Sequence, residues 1–166
     1  MAPFFRAMTQ FCWVDIVARP IRIAIGRYWL TKVPLRAQVL AFEDSYDVKD
    51  LLSSAGCAGS LELGALDLAR VDLRQRWSSQ EPLAEIEAFA PDVLLLDFYM
   101  PPFTGLEVLQ QLNAAVAAGQ LQRPRMVVGM SSEMGCNRRL VDAGADGGFL
   151  KWDVWRYEGF DDWREA

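Results

Sequence analysis

Past its first 35 residues the chain alternates between two textures. Short apolar runs bounded by charge or turn residues recur at 37 to 42 (AQVLAF), 92 to 97 (DVLLLD), 125 to 130 (RMVVGM) and 147 to 151 (GGFLK), with a more alternating stretch at 67 to 74. Runs of this length, bounded in this way, predict buried strands. Between them the apolar spacing becomes helical. Val48, Leu51 and Leu52 follow Ser45, which offers an N-cap, and Asp47 in the first turn. EPLAEIEAF at 81 to 89 places Pro82 in a first turn. Leu106, Leu109, Leu112 and Val116 share a helical face that stops at Gly119, and EMGCNRRLVDAG stops at Gly144. The glycines at 56, 59 and 64 leave the end of the first helix open. Strands alternating with helices predict a parallel sheet covered on both faces. The expected architecture is a doubly wound, five-stranded α/β domain over residues 36 to 166, preceded by an extension of residues 1 to 35.

Composition narrows the chemistry. At 166 residues and 52% hydrophobic, the chain has enough apolar material for a sizeable core. The net charge is −5, yet residues 1 to 38 hold Arg6, Arg19, Arg22, Arg27, Lys32 and Arg36 against the single acid Asp15. The remainder is therefore strongly acidic, which argues against direct nucleic-acid binding, because that affinity is built largely on cations that displace counterions. Cys12, Cys57 and Cys136 are odd in number and widely spaced, so neither a disulfide framework nor a zinc site is indicated, and a reducing cytoplasm is expected. The complete absence of histidine removes Ser-His-Asp and Cys-His catalysis and any role as phosphohistidine donor. The charges at Arg6, Asp15, Arg19 and Arg22 break the N-terminal segment, which reads as neither a signal peptide nor a membrane span.

In a doubly wound sheet, chemistry gathers outside the carboxyl ends of the strands. The residues there are Glu43 and Asp44, Asp97, Ser131 and Ser132, and Lys151. An all-oxygen cluster of carboxylates suits a hard cation such as magnesium. A lysine and a hydroxyl beside it suit the oxygens of a phosphoryl group arriving on one carboxylate.

These residues, with LLLDFYMPPFTG and its D-x-x-M-P-x-x-x-G pattern, resemble the receiver domains of two-component response regulators. The resemblance covers residues 36 to about 156. It implies a flavodoxin-like sheet of order 2-1-3-4-5 and Asp97 as phosphoacceptor. Glu43 and Asp44 would hold Mg2+ with Asp97 and the backbone carbonyl of Tyr99. Ser131 stands at the position of the family's switch hydroxyl and Lys151 at that of its phosphoryl-binding lysine. The phosphoryl group would come from a histidine kinase or phosphotransfer protein, and the output would be altered binding to a downstream protein. The expected product is a stand-alone receiver that catalyses its own modification at most and is otherwise not an enzyme. A phosphatase of the haloacid-dehalogenase type would want a second aspartate where Tyr99 stands.

Three places depart from the family. Trp152 replaces the proline that usually follows the lysine, and a cis bond before a non-proline residue costs about 2.5 to 4 kcal/mol, so a trans bond is expected. Gly148 occupies the place of an aromatic or histidine whose rotamer follows phosphorylation, while strand alternation turns Phe149 to the other face. The last segment, WDVWRYEGFDDWREA, is interrupted by Gly159 and dense in aromatics. The departures keep open a second reading, a pseudo-receiver that binds a partner protein without phosphorylation. For residues 1 to 35 the expectation is an amphipathic helix packing on its own domain, on a second copy in a homodimer, or on a membrane surface.

Overall fold

The computed structural model describes the backbone at 23–25 and 28–30 and, with side chains, residues 36–53 and 66–164. The chain divides into two compact units, Met1–Pro34 and Leu35–Ala166. In the first, Ile23–Ile25 and Tyr28–Leu30 pair antiparallel, with Ile23 opposite Leu30 and Ile25 opposite Tyr28. The amphipathic helix expected across this segment is therefore not formed at these positions. Isoleucine and aromatic residues favour the pleated arrangement there. The rest of that expectation, including what the segment docks on, lies outside the described residues, as do Cys12, Cys57 and the three glycines at 56, 59 and 64.

The second unit is a five-stranded parallel sheet flanked by helices. Its strands are β1 (Ala37–Phe42), β2 (Val71–Arg76), β3 (Val93–Leu96), β4 (Met126–Ser131) and β5 (Gly147–Leu150). Their order is β2-β1-β3-β4-β5, the 2-1-3-4-5 arrangement expected. Register is continuous across the centre: Phe42 pairs with Leu96, Leu96 with Gly129, and Gly129 with Gly148. The helices are α1 (Val48–Ser53), α2 (Pro82–Phe89), α3 (Gly105–Ala117) and α4 (Met134–Asp142). Two short 3-10 turns, Lys151–Arg156 and Glu158–Trp163, close the chain.

Burial accounts for the strand composition. Val93 to Leu96 have no exposed surface, because the central strand is covered on both sides. Leu40, Phe42, Leu94, Leu96 and Val127 pack with Ile86, Phe89, Val108, Leu109, Leu112 and Leu140 from α2, α3 and α4. Alternation along the strands turns Val39, Ala41, Leu95, Val128 and Met130 to the opposite face. The first 3-10 turn packs against both α1 and β4, and Trp155, Phe160 and Trp163 are among the largest fully buried side chains. Most of the C-terminal aromatics are thus core, while Trp152 is exposed.

Local details differ from expectation at two starts. Asp47, rather than Ser45, caps α1, its carboxylate accepting the Lys49 N–H at 2.8 Å; the Ser45 hydroxyl is engaged by Asp44 instead. The stretch expected as a strand from 67 begins as a 3-10 turn, Leu68–Arg70, because the Asp67 carboxylate accepts from the Ala69 N–H and curls the chain before β2.

Candidate functional site

Backbone pairing carries three carboxylates to one point. Beyond the ends of the strands the ladder continues for one more bond on each side: Asp97 N–H donates to Phe42 and Glu43 N–H donates to Arg76, both at 3.0 Å. Glu43 and Asp97 therefore sit on neighbouring strands at the carboxyl edge, buried to 0% and 2% exposure. Asp44 is half-buried beside them. One oxygen from each of Glu43, Asp44 and Asp97 lies within 4.8 Å of the others.

Lys151 enters from the far side of the sheet. Its Nζ lies 2.8 Å from Glu43 Oε2, 3.0 Å from Glu43 Oε1 and 3.0 Å from Asp97 Oδ2. The Tyr46 ring covers the ammonium at 5.0 Å, a cation–π arrangement. Burial pushes the Asp97 carboxyl above its ordinary pKa, against the pull of the Lys151 ammonium. For Lys151 the balance reverses: burial would lower its pKa, but the hydrogen bonds and charges of Glu43 and Asp97 hold it above the usual lysine value. The peptide bond after Lys151 is trans, as expected; among the described residues the cis bond is between Pro101 and Pro102.

The donors fit a hard cation. Asp97 Oδ1 is buried without any hydrogen-bond partner, and Glu43 Oε2 meets the lysine as a charge contact without a directed hydrogen bond. Buried carboxylate oxygens left without a donor are costly unless something cationic completes them. Three clustered carboxylates facing one ammonium leave that need unmet, and an all-oxygen set matches magnesium rather than zinc.

The turn after Asp97 is built by a close backbone approach. A Cβ at Gly105 would lie 2.1 Å from the Asp97 carbonyl oxygen, so only glycine lets α3 begin directly against the Asp97 backbone. Gly105 N–H donates to Phe98 at 3.0 Å. Thr104 and Glu107 close α3 with a capping box, and Phe98 and Met100 anchor the turn in the core.

Around this edge stand exposed rings. Tyr46, Trp77, Tyr99, Phe103 and Trp152 follow the carboxyl ends of β1, β2, β3 and β5 and are all exposed large hydrophobics. Tyr99 comes two residues after Asp97, with its hydroxyl 3.5 Å from Cys136 Sγ.

No protein-family model matches the chain. The two-component response regulator ORR1 of rice, in both the japonica and indica subspecies, is 35% identical to it over 106 residues, 63% of this chain and 42% of that protein. Over this span the chain is similar to a response regulator. It spans less than half the length of these curated relatives. Solved structures share the fold: a CheY-like receiver domain from Methylobacillus flagellatus aligns with a TM-score of 0.51 at 17% identity, covering 70% of this chain and 86% of that one. The receiver domain of the histidine kinase CKI1 from Arabidopsis thaliana, solved with Mg2+ and BeF3−, aligns with a TM-score of 0.50 at 18% identity, covering 72% and 85%.

Within this fold, the side chains singled out from sequence divide in two. Glu43, Asp44, Asp97 and Lys151 come together directly. Ser131 ends β4 and is fully buried, but its hydroxyl accepts the Glu133 N–H at 3.4 Å and makes no hydrogen bond to Asp97.

Three supporting residues escaped the sequence reading. Gln75 donates to the carbonyls of Glu43 and Tyr46, both at 2.8 Å, and accepts the Val48 N–H at 2.9 Å, so one side chain fixes the acidic loop. Ser79, fully buried, donates to the Phe103 carbonyl and accepts the Phe103 N–H, clasping the β2 exit to the turn after Asp97. Asn137 of α4 accepts the Ser131 N–H at 2.9 Å and donates to the carbonyls of Ser131 and Phe149. Each is a polar side chain bonded to backbone outside its own element, which no local pattern announces.

Gly148 is explained by the same region. A Cβ there would lie 3.0 Å from both the Cβ and the carbonyl oxygen of Asn137, and one at Gly129, its cross-strand neighbour, 2.6 Å from Leu140 Cδ1. Helix α4 rests directly on the sheet backbone at this pair. Any side chain at Gly148 would press on Asn137 from its first carbon.

Proposed function

We propose that this receiver accepts a phosphoryl group on Asp97 from a phosphohistidine of a histidine kinase or phosphotransfer protein, and that the modification changes its binding to a partner protein. The observation that carries the reading is the buried Asp97 carboxylate, with Oδ2 on Lys151 and Oδ1 unpartnered, beside Glu43 and Asp44.

The chemistry is an in-line transfer. A carboxylate oxygen of Asp97 forms a bond to phosphorus as the phosphorus–nitrogen bond of the donor breaks, and the departing imidazole keeps the electron pair and takes up a proton. Such transfers depend mainly on positioning and on neutralising the equatorial oxygens. Lys151, already poised between Glu43 and Asp97, supplies a fixed ammonium for one of those oxygens, and the Ser131 hydroxyl is the available donor at the neighbouring strand end. Glu43, Asp44, Asp97 and the Tyr99 backbone carbonyl would hold Mg2+, which would supply further neutralisation. With no histidine, the chain acts as substrate and switch rather than as a turnover enzyme, and a cytoplasmic location goes with this reading.

A second reading rests on Gly148. With no side chain there to follow the hydroxyl, the fold supports a pseudo-receiver that binds its partner regardless of phosphorylation. Incubation with acetyl phosphate and Mg2+, followed by intact mass, separates the two. One added phosphate on the parent and none on Asp97→Asn supports the acceptor; no added phosphate on the parent favours the pseudo-receiver.

A further inference from the structure

Helix α4 is held by two asparagine side chains, one near each end. At its C-terminal end, Asn113 of α3 donates to the Ala143 carbonyl at 2.9 Å. Toward its N-terminal end, Asn137 grips the sheet through three hydrogen bonds, two to Ser131 and one to Phe149. Asn137 is 1% exposed, and its bonds reach the backbone of the two residues that frame the site's far side: Ser131 at the end of β4, and Phe149, two before Lys151.

We infer that Asn137 is the positioning residue that transmits the state of the site to α4, replacing the hydroxyl–aromatic coupling that Gly148 abolishes. The inference rests on the phosphoacceptor reading above. Its logic is steric and polar together. If the Ser131 hydroxyl leaves the Glu133 N–H for a phosphoryl oxygen, the turn from Ser131 to Glu133 loses that tie and the Ser131 backbone is released to shift toward the site. Buried polar groups are costly to leave unpaired, so the Asn137 amide follows rather than releasing both the N–H and the carbonyl of Ser131. No side chain at Gly129 or Gly148 separates α4 from the sheet, so motion at Asn137 is motion of the helix itself. The Asn113–Ala143 bond fixes the opposite end as a pivot. The surface that shifts carries Met134, Arg138 and Val141, which are exposed on α4.

The chain contains two asparagines, Asn113 and Asn137, so selective 15N-asparagine labelling of the full chain gives two side-chain amide pairs, one on the pivot and one on the moving end. Addition of Mg2+ with BeF3−, a stand-in for the phosphoryl group, is expected to shift the Asn137 pair severalfold more than the Asn113 pair, whereas Mg2+ alone is not. The same addition should change hydrogen exchange across residues 133–143, and Asn137→Ala should abolish that change while still taking one phosphate from acetyl phosphate. An Asn137 pair that moves no more than the Asn113 pair overturns the inference, even if Asn137→Ala does not fold. An α4 response undiminished in Asn137→Ala overturns it too. A parent that takes no phosphate on Asp97 defeats the acceptor reading itself, and the mass measurement identifies that failure separately.

Discussion

Lys151 and Glu43 lie 108 residues apart in the chain and meet at 2.8 Å in a place almost closed to water. Because Asp97 Oδ2 shares the same ammonium, one cation serves two buried carboxylates. Removing one partner of a buried ion pair costs about 3 to 5 kcal/mol, since the remaining charge stays buried and unpaired. Lys151→Met is expected to lose stability in that range in metal-free buffer and to recover part of it with millimolar Mg2+, as read by urea unfolding. The lysine's folded pKa is raised, so its contribution is present in full below about pH 10.4 and fades as pH rises through the higher folded value. A variant as stable as the parent at pH 7 would count against the shared-cation account.

Asp97 has the opposite sign. Burial raises its folded pKa, so the unfolded chain releases this proton first, and the group's effect on stability worsens as pH climbs from about 4 through the folded value. Asp97→Asn should therefore melt higher than the parent at pH 7 without metal, and the two curves should converge toward pH 4. Calorimetry across that range checks both statements. Mg2+ should raise the melting temperature of the parent more than that of Asp97→Asn.

Gln75 touches no predicted ligand oxygen, yet it holds the carbonyls on either side of Asp44 and Ser45. Groups that orient metal ligands typically cost 10- to 100-fold in affinity when removed. Gln75→Leu is expected to weaken Mg2+ binding by roughly tenfold or more while leaving the far-ultraviolet circular dichroism unchanged. Tryptophan emission titrated with Mg2+ provides the measurement.

Gly105→Ala forces a Cβ into the Asp97 carbonyl. Overpacking a tight site costs about 1 to 3 kcal/mol. Because the displaced backbone is that of Asp97, the proposed acceptor, acetyl phosphate labelling should slow more than in a variant of equal stability loss placed away from the site, such as Leu121→Ala. Equal labelling rates in the two variants would show that the turn is only structural.

Thr104→Ala removes the N-cap of α3, worth about 1 kcal/mol, and is expected to lower stability without affecting Mg2+ binding. Glu107, its partner in the capping box, has a lowered pKa because the Thr104 N–H and hydroxyl donate to it. Its contribution holds above the ordinary carboxylate range and disappears as pH falls through the folded value. The stability gap between parent and Thr104→Ala should therefore narrow in acid, which melting curves between pH 7 and pH 3 will show.

The strands were legible because a parallel sheet buried on both faces leaves uninterrupted apolar runs, of which Val93 to Leu96 is the clearest. Glu43, Asp44, Asp97 and Lys151 were legible because they stand where those runs end, and the fold gathers such ends along one edge. Residues whose role is to bond remote backbone were not. Gln75 reaches 32 residues back to Glu43, and nothing in RVDLRQRW marks one glutamine among its neighbours. Asn137 sits in a helix whose periodicity would be the same with any polar residue there. The choice of Asp47 over Ser45 as the cap was equally hidden: both are good caps, and the competition was decided by Asp44, which took the serine hydroxyl.

The rings around the site have one more consequence. Trp77 and Trp152 stand 57% and 50% exposed at the carboxyl ends of β2 and β5, and any body that covers the acidic edge strips water from one or both indoles. Their emission then moves to shorter wavelength, so this protein carries a native optical gauge of occupancy, readable without dye, tag or knowledge of what has bound.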